Sequence, residues 1–339
     1  MSLGYIGSKK SLLSFLEEHI APRLSPDSVF ADLFAGTGVV GRHFKHACRK
    51  TVANDVETYS YVINRAMTTV NYTDELQKLI ADLDAVPPLS GMITTDFAKE
   101  RKFFTEGNAQ KIDAIRTKIE TLKTDGTIDD NGYYYLIACL LVAADRVANT
   151  ASVYGAYLKR YKTSAKKPLE LKPIHTNRDD ARPEDEVFQR DALELVKDAK
   201  DDAMRFDVAY IDPPYNNRQY SSNYSVLNSI VLYDPDVTIK GVAGVIADAY
   251  RSPFCRKAEV ARSFDDLVKN TRASYIFVSY NDEGILPEKE MTEIFEKHGK
   301  VTLHEKIYKK FRSQKGSETK VATTVREFLY EIEKKQSVV

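Results

Sequence analysis

Cysteine is scarce in this chain: three in 339 residues, Cys48, Cys139 and Cys255, set far apart. That number and spacing exclude a disulfide framework and a CxxC-type metal site, and they fit a reducing compartment. Charge of one sign is not in excess either, since 49 lysines and arginines balance 49 aspartates and glutamates. No global field advertises a polyanion, so phosphate contacts would have to come from a local basic stripe. Long hydrophobic runs are missing too. The first ten residues have no apolar core and do not read as a signal peptide. The most apolar stretch, residues 136–147, is interrupted by Asp145-Arg146 and is too short to span a bilayer. Internal repeats and low-complexity segments are absent. The expectation is a cytoplasmic protein of one large α/β domain with a substantial insertion, or of two domains.

What is present has a clear order. Leu12, Leu13, Phe15, Leu16 and Ile20 share one side of an amphipathic helix that Pro22 and Pro26 end. Residues 29–34 are short, apolar and bounded by turn signals, so they read as a buried strand. The loop Ala35-Gly36-Thr37-Gly38 then leads into a helix over 39–48, a second strand over 51–55 and a second helix over 58–70. Strand, glycine loop, helix, and a strand ending in an acid begin a doubly wound parallel sheet. From 73 to 185 helical spacing dominates, with Ile112, Ile115, Ile119 and Leu122 on one face and residues 133–147 apolar nearly all round. Sheet signals return near Val187 and at 206–211 and 275–280. Two last strands, 301–308 and 325–332, flank a polar stretch and read as an antiparallel hairpin. The simplest account is a Rossmann-like α/β domain, 1–72 and 186–339, interrupted by a mostly helical insertion, 73–185.

Two motifs carry chemistry. Gly36-x-Gly38-x-x-Gly41 follows a strand and opens a helix, with Asp55 at the distance where an acid meets ribose hydroxyls. This pattern leaves nicotinamide, flavin and S-adenosylmethionine open, and a tight strand–helix turn would also account for it. Asp212-Pro213-Pro214-Tyr215 directly follows the buried strand 206–211, at the carboxyl end where open α/β sheets bind ligands. Two prolines stiffen that turn. The Asp212 carboxylate and the Pro213 carbonyl are two acceptors beside an aromatic ring, which suits an exocyclic amino group on a planar base.

With these motifs in this order, the chain resembles the Dam-like, α-group, S-adenosylmethionine-dependent DNA adenine-N6 methyltransferases. The resemblance rests on Tyr5-Ile6-Gly7-Ser8-Lys9, Phe34-Ala35-Gly36-Thr37-Gly38, Asn54-Asp55 and Asp212-Pro213-Pro214-Tyr215, and covers most of the chain outside the insertion. It implies that Tyr5, Gly7 and Lys9 flank the methionine moiety, with Lys9 near its carboxylate. Asp32, Phe34, Gly36 and Gly38 would line the methionine side, Asp55 would hold the ribose, and Asp191 would accept from the cofactor's adenine amine. A lone aspartate in that place also serves as a helix cap. Asp212, Pro213, Pro214 and Tyr215 would hold the target adenine, flipped out of the duplex. The insertion lies between Asp55 and Asp191, whereas many relatives place theirs nearer the catalytic tetrad.

Double-stranded DNA is the expected partner. Residues 216–224, with Arg218 and Gln219, read as a polar, aromatic flap. Lys159, Arg160 and Lys162 begin one basic stretch, and Lys310 and Arg312 belong to a second around the hairpin. No metal is expected: His43 and His46 lie one turn apart with only Cys48 near, and no second ligand pair follows. No nuclease signature is present, so restriction activity would sit on another chain. Methylation of another exocyclic amine is an alternative, against which the leading aspartate of the tetrad argues. A nicotinamide-dependent dehydrogenase would explain the glycines and Asp55 but leave the tetrad without a role.

Overall fold

The computed structural model describes residues 8–151, 153–198, 204–310 and 323–335, with backbone only at 308–310 and 323. Seven strands form one sheet: β1 Val29–Asp32, β2 Lys50–Asn54, β3 Glu186–Phe188, β4 Phe206–Ile211, β7 Ala273–Asn281, β8 Gly299–Lys310 and β9 Thr323–Lys334. Their order across the sheet is β3-β2-β1-β4-β7-β9-β8. The first five are parallel, and β9 runs antiparallel to both β7 and β8. The doubly wound sheet and its closing hairpin agree with the sequence reading. A separate two-stranded ribbon, β5 Ile239–Lys240 and β6 Val245–Ile246, was not foreseen.

Alternation along the central strands sorts the two layers. Phe30, Val208, Tyr210 and Phe277 face α1 (Leu13–Ile20) and α2 (Val39–Phe44). Their chain neighbours Ala31, Ala209, Ile211, Ile276 and Val278 face α7 (Ala192–Lys197), α10 (Val260–Asn270) and α11 (Glu288–Glu296). A one-residue slip of any central strand would exchange these faces, so the register is fixed by burial on both sides.

The second core belongs to helices: α3 (Thr58–Thr68), α4 (Asp74–Asp84), α5 (Glu106–Thr124) and α6 (Asp130–Val147). Thr73, Thr105 and Asp129 each cap a helix by accepting from an amide three residues on. Residues 135–144 of α6 are all buried, because other helices pack around it. In the chain segment that runs from the end of β2 to the start of β3, the only strand-type pairing among the described residues is one isolated bridge, Thr150 with Tyr157. After β4 come α8 (Tyr220–Asn223) and α9 (Ser225–Leu232). The flap reading of 216–224 is therefore corrected in part. Its second half is helical, and Ser221 and Tyr224 are buried, because α9 behind them docks Val226, Leu227 and Ile230 into the helical core.

Candidate active site

The site forms where β1, β2, β3 and β4 end. Asp32 pairs in register with Tyr210, and the Leu33 amide donates to the Tyr210 carbonyl at 3.0 Å. Asn54 knits the next strand ends together. Its side-chain nitrogen donates to the carbonyls of Leu33 and Arg190, both at 3.1 Å, and its oxygen accepts from the Arg190 amide at 3.2 Å. A cleft of about 870 Å³ opens over these ends. From the expected set, Lys9, Asp32, Phe34, Gly36, Asp55, Asp191, Asp212, Pro214 and Gln219 line it.

The glycine loop is held from behind. Asp55 Oδ2 accepts from the Gly36 amide at 2.8 Å, while Ser60 Oγ and Asn64 Nδ2 donate to the Gly36 carbonyl at 2.5 and 3.0 Å. Gly38 caps α2 at φ 69°, and a Cβ there would lie 2.4 Å from Asn64 Oδ1, so only glycine suits both the backbone and the approach. Gly38 thus shapes the loop from outside the lining. Asp55, expected at the ribose, also receives the Glu57 amide at 2.9 Å, so it braces the loop. Glu57 was not singled out from the sequence. It lines the cleft, takes Asn228 Nδ2 on Oε2 at 2.7 Å, and burial lifts its carboxyl to about 7.

Asp32 is the most exacting group present. It is 1 % exposed; Oδ2 accepts from the Gly41 amide at 3.3 Å, and Oδ1 has no hydrogen-bond partner among the described residues. Burial, with the Asp212 carboxylate adding, raises it to about 8. A buried acceptor without a donor costs free energy unless a ligand supplies one.

At the other end, Lys9 Nζ lies 3.0 Å from Asp212 Oδ1, and 5.8 Å from the centre of the Tyr215 ring. In this structure Lys9 therefore meets the catalytic-motif carboxylate. Burial opposes the Lys9 charge, but Asp212, with Tyr210, Glu327 and Tyr215 adding to it, outweighs burial and holds the ammonium well above its usual range. Asp212 is raised to about 6 by burial, with Lys9 pulling it down. Pro213 is buried, and Tyr215 packs edge-on against Tyr280.

Asp191 caps α7, and it also lines the cleft. Tyr250, Ser252 and Phe254 also line the cleft, brought there from a segment that carries no recognisable motif. Arg218 is exposed beside the cleft-lining Gln219. Lys159 and Arg160 are exposed on the helical segment, whereas Lys162 Nζ is bonded to the Thr150 carbonyl at 2.8 Å. Tyr5, Gly7 and Arg312 lie outside the described residues, and Lys310 is described by its backbone alone, in β8. His43 and His46 face Glu17 and Asp180 instead of each other. Among the described residues there is no group of three metal-ligating side chains, and no helix is long and apolar enough to cross a membrane.

Donors and acceptors of this kind fit S-adenosylmethionine part by part. The open oxygen of Asp32 suits an ammonium, Lys9 a carboxylate, Glu57 hydroxyls and Asp191 an amine, with Phe34 and Phe254 supplying aromatic wall. A sheet of this order with such a cleft at its strand ends and Asp-Pro-Pro-Tyr at its mouth defines an α/β methyltransferase. The chain belongs to the D12 class N6 adenine-specific DNA methyltransferase family, which it matches over residues 5–294. It transfers the methyl group of S-adenosylmethionine to the N6 amino group of adenine in DNA. It is 42% identical to the Type II methyltransferase M.NlaIII of Neisseria lactamica, covering 98% of this chain and 99% of that one. It is 37% identical to the Type II methyltransferase M.CviAII of Paramecium bursaria Chlorella virus 1, covering 97% of each. To the Type II methyltransferase M.FokI of Planomicrobium okeanokoites it is 32% identical, over 97% of this chain but 52% of that relative.

Proposed function

We propose that this enzyme is a Dam-like, α-group methyltransferase that serves as the modification arm of a restriction system. It acts on one adenine within a specific double-stranded sequence, in the cytoplasm, with any nuclease on a separate chain and without a metal. The order of its motifs supports the grouping, and its full-length likeness to Type II methyltransferases supports the role. Residues 73–185 are the target-recognition region, with Lys159, Arg160 and Lys162 on the phosphates. Lys310, Arg312 and Arg218 add further backbone contacts.

One observation carries the chemical reading: Asp212 sits at the end of β4 beside Lys9 and faces the same cleft as Asp32. S-adenosylmethionine supplies a methyl group activated by its sulfonium. Asp32 and Lys9 hold the charged amino-acid end, Glu57 and Asp55 the ribose side, and Asp191 the adenine. The target adenine leaves the duplex, stacks on Tyr215, and donates its N6 hydrogens to Asp212 and the Pro213 carbonyl. Those acceptors draw charge onto a nitrogen whose lone pair is otherwise delocalised into the ring. Alignment and charge stabilisation would then suffice for in-line transfer, and no covalent enzyme intermediate is needed. The N6–CH3 bond would form as the S–CH3 bond breaks, S-adenosylhomocysteine would leave, and the surplus N6 proton would pass to the Asp212 carboxylate. Gln219 closes the mouth.

The test is single-molecule sequencing, with modified-base detection, of plasmid from a methylation-deficient host expressing the chain. Modified adenine in one recurrent context is expected, and the same host carrying Asp212→Ala should show a loss of at least about 10³-fold in methylation rate. Unmodified DNA beside soluble wild-type protein, or full activity in Asp212→Ala, would overturn the assignment.

A further inference from the structure

Asp191 is held on both oxygens. Its Oδ1 accepts from the Leu193 amide at 2.7 Å and the Glu194 amide at 3.3 Å, and its Oδ2 accepts from the Tyr250 hydroxyl. A carboxylate offers about four lone-pair sites, so one acceptor position on Oδ2 stays open beside the cleft. Helix capping fixes one oxygen. Without Tyr250 nothing among these contacts fixes the plane of the other.

Tyr250 is itself anchored from the target side. Its carbonyl accepts from Ser221 Oγ at 2.6 Å. Two residues on, the Ser252 amide donates to Gln219 Oε1 at 2.8 Å, and Gln219 Nε2 donates back to the Ser252 carbonyl at 3.2 Å. The phenol therefore stands on a strap bonded at both edges to the segment that follows the tetrad. Burial pushes its hydroxyl far up from the usual tyrosine range, so it remains a donor at every working pH.

We infer that Tyr250 is a positioning residue for cofactor recognition: by donating to Asp191 Oδ2 it orients the open acceptor toward the 6-amino group of the cofactor's purine. The inference rests on the assignment of Asp191 to that amine. It gives the strap a purpose beyond covering the cleft. A purine carrying a donor at position 6 is accepted, and one lacking it leaves the fixed acceptor unmatched.

The experiment is titration calorimetry with S-adenosylhomocysteine and with its analogue lacking the purine 6-amino group, using wild-type protein, Tyr250→Phe and Asp191→Asn. Wild-type protein should favour the amino compound by at least about tenfold. Tyr250→Phe keeps the ring, and should weaken S-adenosylhomocysteine about fivefold while leaving the desamino analogue unchanged. Equal weakening of both ligands, or of neither, overturns the role of Tyr250. If Asp191→Asn erases the preference but Tyr250→Phe preserves it, the Asp191 assignment stands and this inference fails. If Asp191→Asn leaves the preference intact, the assignment of Asp191 itself fails.

Discussion

Asp113, in the helical segment, and Asp32, under the glycine loop, are both almost completely buried, and they differ in what surrounds them. Asp113, on α5, receives the amides of Gly91, Ile93 and Thr94, the Thr94 hydroxyl and the Tyr233 hydroxyl, all between 2.6 and 3.0 Å. Asp32 receives the Gly41 amide at 3.3 Å, is also stabilised by the Phe34 amide, and keeps an oxygen, Oδ1, without a hydrogen-bond partner among the described residues. The first carboxylate organises its own neighbourhood, pinning the chain before α5 and the C-terminus of α9 to one point. The second has been taken out of water without full compensation. Folding alone gives no reason for that, because a buried polar group left unsatisfied costs about 1–3 kcal/mol. A ligand that brings the missing donor does. The contrast separates a residue that stabilises from one that recognises, although both are buried acids of the same type.

Removing Asp113 should have the larger effect. Asp113→Ala orphans five donors around one point and is expected to cost about 3–5 kcal/mol, lowering Tm by roughly 6–12 °C. At a temperature where the variant is still folded, its affinity for S-adenosylhomocysteine should match wild type. A variant with wild-type Tm, or one that loses ligand affinity while fully folded, would remove the distinction between the two acids.

Asp32→Asn sharpens the comparison from the other side, because here stability and function should move in opposite directions. The Asp32 carboxyl lies near 8 in the folded state against 3.8 as its ordinary value. A group raised on folding stabilises below its unfolded pKa and loses that contribution as pH rises through the folded one. Asparagine does not titrate and can still accept from the Gly41 amide. The ligand-free variant should therefore be more stable than wild type at pH 8.5, with the advantage shrinking toward pH 4. Losing a charge-assisted bond to the ligand's ammonium should weaken S-adenosylhomocysteine about 10–100-fold. Thermal melts across pH, paired with calorimetry, check both halves. A destabilised variant that binds normally would place Asp32 with Asp113.

How much of this was legible in the sequence depended on distance along the chain. The glycine loop and Asp212-Pro213-Pro214-Tyr215 could be read because each is a local turn whose residue types state its geometry. The doubly wound, parallel start of the sheet could be read with the glycine loop, as could the closing hairpin from its two strand patterns. Contacts made across the fold could not be read. Tyr250 meets Asp191 across 59 residues, and Asn228 reaches Glu57 across 171. Asn54 was visible as half of a motif, but its work at three strand ends depends on β1, β2 and β3 lying side by side. One signal was available and unused: Val226, Leu227, Ile230 and Val231 carry helical spacing and mark α9. Lys9 was expected beside the cofactor's carboxylate, yet its charge is paired here with Asp212, a meeting that only the end of β4 creates.

That pairing yields the smallest effect and the finest discrimination. Asp212 must be ionised to accept from an amino group, and it lies near 6, raised by burial and lowered by Lys9. Methyl transfer should therefore fall as pH drops through about 6 in the wild-type enzyme. Lys9→Met removes the lowering influence, so Asp212 should protonate at higher pH. The acid limb of kcat/KM for DNA is expected to move upward by about one pH unit. If Lys9 instead served only the cofactor's carboxylate, the limb would stay in place while KM for S-adenosylmethionine rose. The two outcomes are read from the same set of rate curves. A shifted limb shows that Lys9 also serves the target half of the cleft, where it guards the charge of Asp212, besides sharing the charged end of the cofactor with Asp32.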